Sequence, residues 1–228
     1  MLIGILVTGH ALDELHDTRG DYDRIFDDLL KAFGFETKAW FVVDEEYPES
    51  PEDADGWLIT GSKHGAYEDH PWIPHLEAFI RDVYADGRPM IGICFGHQII
   101  AQALGGKVVK FDQGWAVGHT DYDIGGDQMR LLAWHQDQVV ETPESAEVIG
   151  SNAFCENAAL LYDNRILTIQ PHPEFDGEIL EKLIDVRGKG VVEPDRLAVA
   201  KENQLGPHDS LRFVERMSAF FREGASLG

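Results

Sequence analysis

Residues 89–106 read PMIGICFGHQIIAQALGG. An apolar run ends on Cys94, Gly92 and Gly96 stand two residues to either side, and an amphipathic run follows at once and stops at Gly105 and Gly106. A buried strand turning sharply into a helix accounts for this pattern. Small residues let the backbone take the turn, and the side chain at its apex is held out of the sheet. A cysteine placed there faces the N-terminal N–H groups and dipole of the helix that begins at Phe95, which favours the reactive thiolate. The Phe95 N–H is also positioned to stabilise an oxyanion. The alternative is a core cysteine packed as a small hydrophobe, and the elbow alone does not separate the two.

Outward from this stretch, strand-like runs occur at LIGILVTG, TKAWFVV, GWLIT, PMIGIC, KVVKF and RILTIQ, most of them nearly continuous in apolar residues. Such runs mark strands buried on both faces. Helical patterns at 21–33, 72–85 and 95–104 lie between several of them. The alternation predicts a mostly parallel sheet flanked by helices. Residues 116–163 break the rhythm with AVGHTDYDI and MRLLAW, which predict antiparallel strands added at one edge. Beyond TIQPHPEF the chain turns helical, with Ile179, Leu180, Leu183 and Ile184 at helical spacing and a helix from Asp209 or Ser210 to Gly224; residues 188–194 read as a loop. No repeat or linker divides the chain, so residues 1–228 are expected to form one domain, with a core over about 1–185 and a helical extension over 186–228.

The chain has 228 residues, 43% of them hydrophobic and 26% charged, which is ordinary for a globular protein. Its formal charge of −22, from 19 basic and 41 acidic residues, repels phosphate backbones and anionic headgroups, so nucleic-acid and membrane-surface roles are set aside. No apolar run approaches the roughly 20 residues of a membrane span. MLIGILVTGH lacks the basic region and cleavage site of a signal peptide, so it reads as a first strand and a cytoplasmic location is expected. Two cysteines, Cys94 and Cys155, do not make a disulfide framework.

A thiolate nucleophile needs a base, and the base needs an orienting group. IQPHPEF offers both: His172 and Glu174 stand two apart on a segment read as extended and stiffened by Pro171 and Pro173, which turns their side chains to one face. WLITGSKHGAYED supplies a second strand-end loop, Gly61 to Gly65, which a parallel sheet brings to the same edge as Cys94. Read singly, each is also an ordinary core histidine, surface acid or Gly/Ser turn.

Together these residues resemble the class I glutamine amidotransferases, the Cys-His-Glu family. ITGS, GICFGHQIIAQALGGKV and QPHPEF carry the resemblance, in family order, over about residues 1–185. It implies a flavodoxin-like three-layer α/β sandwich with a central mostly parallel sheet and antiparallel edge strands. It implies Cys94 as nucleophile on glutamine or a γ-glutamyl compound, His172 as proton shuttle and Glu174 as its orienting partner. Backbone amides of Phe95 and of Ser62 or Gly61 would form the oxyanion hole. Gln98, His135 and Gln136, with Trp115, would hold the substrate's amino-acid end. No cofactor and no metal are expected.

Where family members that make GMP carry Ser-His-Gly-Asp, this chain has AWHQDQV, Trp134 to Val139, closer to the stand-alone GMP-synthase-like relatives that resemble γ-glutamyl peptidases. The chain carries no synthetase domain, so ammonia from glutamine would pass to a separate acceptor subunit. The alternative is a γ-glutamyl peptidase acting alone, and a non-catalytic regulatory role on the same shell is a further one. An α/β-hydrolase normally places its acid before the histidine, the reverse of the order here. A thiol-based stress protein on a related fold places histidine directly after the cysteine, where this chain has Phe95. His64, His70 and His75 match no ligand motif and read as surface histidines.

Overall fold

The computed structural model describes residues 1–224, and residues 225–228 of the expected extension lie outside the described residues. The first half runs β1 (Leu2–Leu6), α1 (Asp13–His16), α2 (Tyr22–Lys31), β2 (Glu36–Trp40), β3 (Gly56–Ile59), α3 (Trp72–Asp86), β4 (Met90–Ile93), α4 (Phe95–Ala103) and β5 (Lys107–Lys110). Then come β6 (Ala116–Ile124), β7 (Asp127–His135), β8 (Asp137–Glu141), β9 (Ala146–Ser151), β10 (Ala159–Tyr162) and β11 (Ile166–Ile169). The chain closes with α5 (Gly177–Leu183), α6 (Pro194–Glu202) and α7 (Ser210–Glu223).

Nine strands form one sheet in the order β2, β1, β3, β4, β11, β10, β9, β6, β7. The first five are mutually parallel and the last four antiparallel. This is the expected mixed sheet. Its central strands are apolar throughout because helices cover both faces. Successive side chains divide between two cores: Ile3, Ile5 and Leu58 pack with Phe26 of α2, Leu180 of α5 and Met217 of α7. Leu6, Trp57 and Ile59 pack on the opposite face with Leu76 and Ile80 of α3 and Ile100 of α4. A strand's period of two thus builds the three layers.

Two elements depart from the sequence-based expectation. KVVKF does not join the main sheet: β5 pairs only with β8, antiparallel, in a separate two-stranded sheet. The place beside β4 is taken by β11, paired parallel from Ile166 opposite Met90 to Ile169 opposite Ile93. Second, β8 leaves the antiparallel group for the same small sheet. The helix expected at the end of the chain forms as α7, and its Phe213, Val214, Met217, Phe220 and Phe221 are buried in the core shared with β1. Arg222 extends that packing, its guanidinium 4.6 Å above the Phe35 ring. Among the described residues no helix is long and apolar enough to cross a membrane.

Candidate active site

The C-terminal ends of β1, β3, β4 and β11 meet at one edge of the sheet, where a parallel arrangement collects its loops. Cys94 sits there between β4 and α4 with φ +52° and ψ −100°. A non-glycine residue at such angles stores about 1–3 kcal/mol, which the surroundings must hold in place. They do so through hydrogen bonds from the Cys94 N–H to the Ile169 carbonyl at 2.8 Å and from the Gly96 N–H to the Thr60 carbonyl at 3.2 Å. The flanking glycines are obligatory for the same geometry. A Cβ on Gly92 would lie 2.6 Å from the Gly96 backbone, and one on Gly96 would lie 2.4 Å from the Ile59 carbonyl oxygen.

The loop after β3 approaches from one side. Ser62 Oγ donates to the Thr8 carbonyl at 2.7 Å and accepts the His64 N–H at 3.2 Å, tying the loop to the end of β1. Gly61 is pressed against the centre: a Cβ there would lie 3.0 Å from His172 Cε1 and 3.7 Å from Cys94 Cβ. Cys94, Gly61 and His172 are therefore in mutual proximity. Phe95 opens α4 with its side chain buried against Trp72, ring centroids 5.5 Å apart.

From the other side, His172 Nδ1 donates to Glu174 Oε1 at 2.6 Å, both side chains being buried. The segment between them is not the extended strand expected. His172 makes a single bridge to Leu132, its N–H donating to the Leu132 carbonyl at 2.8 Å, and the chain then turns at Pro173, whose fixed φ suits a turn. The Phe175 ring lies flat on the imidazole at 3.9 Å with an interplanar angle of 3°, which sets its plane. Burial opposes a charge on His172, but the Glu174 carboxylate and the Cys94 sulfur outweigh it and raise its pKa to about 10.

A cavity of about 430 Å³ opens onto Cys94 and His172, and Ser62, Gln98, His135, Gln136 and Trp115 also line it. Glu174, Gly61 and Phe95 lie behind its wall. Gln98 Nε2 donates to the Asp137 carbonyl at 3.0 Å and to Gln170 Oε1 at 3.1 Å, bracing α4 to the start of β8 and the end of β11. His135 Nδ1 is 3.2 Å from the same carbonyl, and burial lowers its pKa to about 3, so the ring is neutral. Gln136 Nε2 donates to the Phe111 carbonyl at 3.0 Å.

The wall also holds Lys63, Lys110, Asp137, Phe175 and Arg187, which sequence reasoning missed. Lys63, Asp137 and Phe175 adjoin residues already singled out, so their neighbours were the available signal. Arg187 had none: it follows α5 and is brought back only by the fold. Burial raises the pKa of Asp137 although the Tyr67 hydroxyl hydrogen-bonds to its carboxylate.

Residues 21–184 match the family model described as glutamine amidotransferase class-I. The chain belongs to the class I glutamine amidotransferase family, and its chemistry is that superfamily's glutamine-amidotransferase-like hydrolysis. It is similar to γ-glutamyl peptidase 2 of Arabidopsis thaliana, with 34% identity over 80% of this chain and 81% of the relative. It is also similar to a glutamine-hydrolyzing GMP synthase subunit of Archaeoglobus fulgidus, with 28% identity over 73% of this chain and 93% of the relative. The crystal structure of a glutamine amido transferase from Methylobacillus flagellatus shares the fold, with a TM-score of 0.76 at 21% identity over 97% of this chain and 91% of that one.

Proposed function

We propose that the chain is a thiol amidohydrolase that cleaves a γ-glutamyl amide through a γ-glutamyl thioester on Cys94. The observation that carries this reading is the convergence of Cys94 with the His172–Glu174 pair, joined at 2.6 Å, at one sheet edge. The Cys94 thiolate attacks the amide carbonyl, and the resulting oxyanion is held by the backbone N–H groups of Phe95 and of Gly61 or Ser62. The C–N bond breaks as protonated His172 gives its proton to the leaving amine. Neutral His172 then takes a proton from water, the hydroxide attacks the thioester, and glutamate leaves with the thiolate restored. Each step balances with these groups and water alone. Glu174 holds the imidazole throughout, while Gln98, His135, Gln136 and Trp115 form the pocket for the glutamyl end.

Two observations favour a γ-glutamyl peptide as substrate over glutamine. A cavity of about 430 Å³ falls in the range of pockets that enclose ligands larger than one amino acid, roughly 300–1,000 Å³. Lys63, Lys110 and Arg187 line it beside Glu68 and Asp137, three cations against two carboxylates in a chain with 19 basic against 41 acidic residues. Such a concentration suits a substrate bearing carboxylates beyond the scissile amide. Similarity to an Arabidopsis γ-glutamyl peptidase supports the same reading. Similarity to a GMP synthase subunit favours a second one, in which glutamine is hydrolysed and ammonia passes to a separate acceptor protein. In either case residues 1–228 act as one domain, and two free buried cysteines suit a reducing cytoplasm.

The test is glutamate release by the purified chain from L-glutamine and from glutathione, side by side, with Cys94→Ala as control. Faster turnover of glutathione supports the self-sufficient peptidase. A preference for glutamine makes the chain an ammonia supplier, and activity that survives Cys94→Ala removes the thioester from the mechanism.

A further inference from the structure

We propose that His64, Glu68 and His70 form a binding site for one divalent transition-metal ion of the zinc class, at the mouth of the cavity that holds Cys94. By sequence, His64, His70 and His75 match no ligand motif and read as surface histidines, and Glu68 carries no signal of its own. They lie instead on the irregular segment between β3 and α3, which folds back on itself. Glu68 Oε2 is 3.2 Å from His64 Nδ1 and 2.8 Å from His70 Nε2, and the three donor atoms lie within 4.8 Å of one another. Donors about 2.0–2.2 Å from a tetrahedral zinc ion stand roughly 3.3 Å apart. The cluster therefore needs only small side-chain movements to close around an ion.

The donor set is selective. Two imidazoles and one carboxylate suit zinc and its neighbours, whereas magnesium and calcium prefer oxygen alone. Three protein ligands leave a fourth position open for water or an anion. Both imidazoles are already packed against the Trp72 ring. His70 stacks on Trp72 with centroids 5.9 Å apart and planes 15° from parallel, and the His64 ring meets the Trp72 ring edge-on with centroids also 5.9 Å apart. His75, a turn into α3, packs against Tyr47 with ring centroids 5.4 Å apart and takes no part.

The location gives the site a consequence. His64 and Glu68 line the same cavity as Cys94, and Trp72 links His70 to Phe95. An ion there would fix the segment that carries Gly61 and Ser62 and add positive charge at the cavity mouth.

The experiment is calorimetric titration of zinc chloride into the purified Cys94→Ala chain, which removes the thiol as a competing ligand and needs no catalytic activity. One-to-one binding is expected, weakened by at least about tenfold in His64→Ala and in His70→Ala, each added to the Cys94→Ala background. Cobalt(II) should give the visible absorption of a four- or five-coordinate centre in Cys94→Ala and lose it in both histidine variants. Glu68→Gln, which keeps the shape of the side chain, is the check against misfolding and should also weaken binding. Failure of Cys94→Ala to bind zinc overturns the proposal, as does affinity unchanged by His64→Ala and His70→Ala. Because the readout is binding, its failure leaves the hydrolase reading untouched, and the glutamate-release assay tests that reading separately.

Discussion

Gly96 lies so close to Ile59 that a Cβ added to it would stand 2.4 Å from the Ile59 carbonyl oxygen. The contact joins the helix after the cysteine to the strand before the neighbouring loop, so it couples two walls of the site. Alanine is the better helix former by about 1 kcal/mol. A backbone carbonyl cannot swing aside, however, and overpacking costs about 1–3 kcal/mol or more. Gly96→Ala is therefore expected to destabilise the chain by about 2 kcal/mol, read as a lower urea midpoint at constant m-value. A variant as stable as wild type would show that the elbow has more slack than these distances allow.

Cys94 carries a second expectation from its φ of +52°. Both Cys94→Ala and Cys94→Gly remove the thiol, but only glycine adopts this conformation without steric cost. Cys94→Gly should be the more stable of the two by about 1 kcal/mol, the remainder of the strain being offset by the glycine's greater freedom when unfolded. Activity in both should fall below about one part in a thousand of wild type. Equal thermal midpoints for the pair would place the strain elsewhere.

Glu174 and His172 differ in what their loss should do. His172→Ala removes the group proposed to move the proton, whereas Glu174→Gln keeps the shape of the partner at 2.6 Å and removes its charge. The glutamine variant should retain more kcat than the alanine variant, by about tenfold or more. Single-turnover measurement of both steps decides it. Comparable losses would give Glu174 a direct part in proton transfer.

Lys110 and Arg187 are expected to act on substrate choice. Lys110→Ala and Arg187→Ala should raise KM for a γ-glutamyl peptide with a free carboxylate by about three- to tenfold, the effect of one partly solvated charge pair. KM for glutamine should move little. Parallel titrations with both substrates test this, and an equal rise for both would mean that the cations contact the glutamyl end.

Acid should weaken the fold through two buried imidazoles. Burial lowers the pKa of His97 and of His135 from 6.5 to about 3, so between those values the unfolded chain binds more protons than the folded one. Their contribution is complete above about pH 6.5 and is lost as pH falls toward 3. His172 acts with the opposite sign: with its pKa raised from 6.5 to about 10, its stabilisation is present below 6.5 and lost as pH rises through 10. Urea unfolding at pH 4.5 and 7 should therefore show lower stability at the acid value, with a smaller difference in His97→Gln. An unchanged difference would assign the acid lability to other groups.

How much of this was legible beforehand follows from the range over which each feature is encoded. The elbow could be read because its requirements, an apolar strand, glycines at 92 and 96 and a helix that starts at 95, all fall within a few residues of Cys94. The His172–Glu174 pair was equally local, and its turn at Pro173 served the same end as the extended segment expected. The central strands announced themselves by apolar runs, because covering both faces of a sheet demands them.

Strand neighbours are another matter, since they depend on competition between distant segments. β5 looked like a member of the main sheet, yet β11, more than fifty residues later, holds the place beside β4. The same non-local closure brings Arg187 from beyond α5 to the cavity, sinks α7 into the core and gathers His64 and His70 around one carboxylate. Backbone conformation and burial are set by near neighbours and composition. Which walls face each other is set by which elements win the packing, and no short stretch of sequence records that outcome.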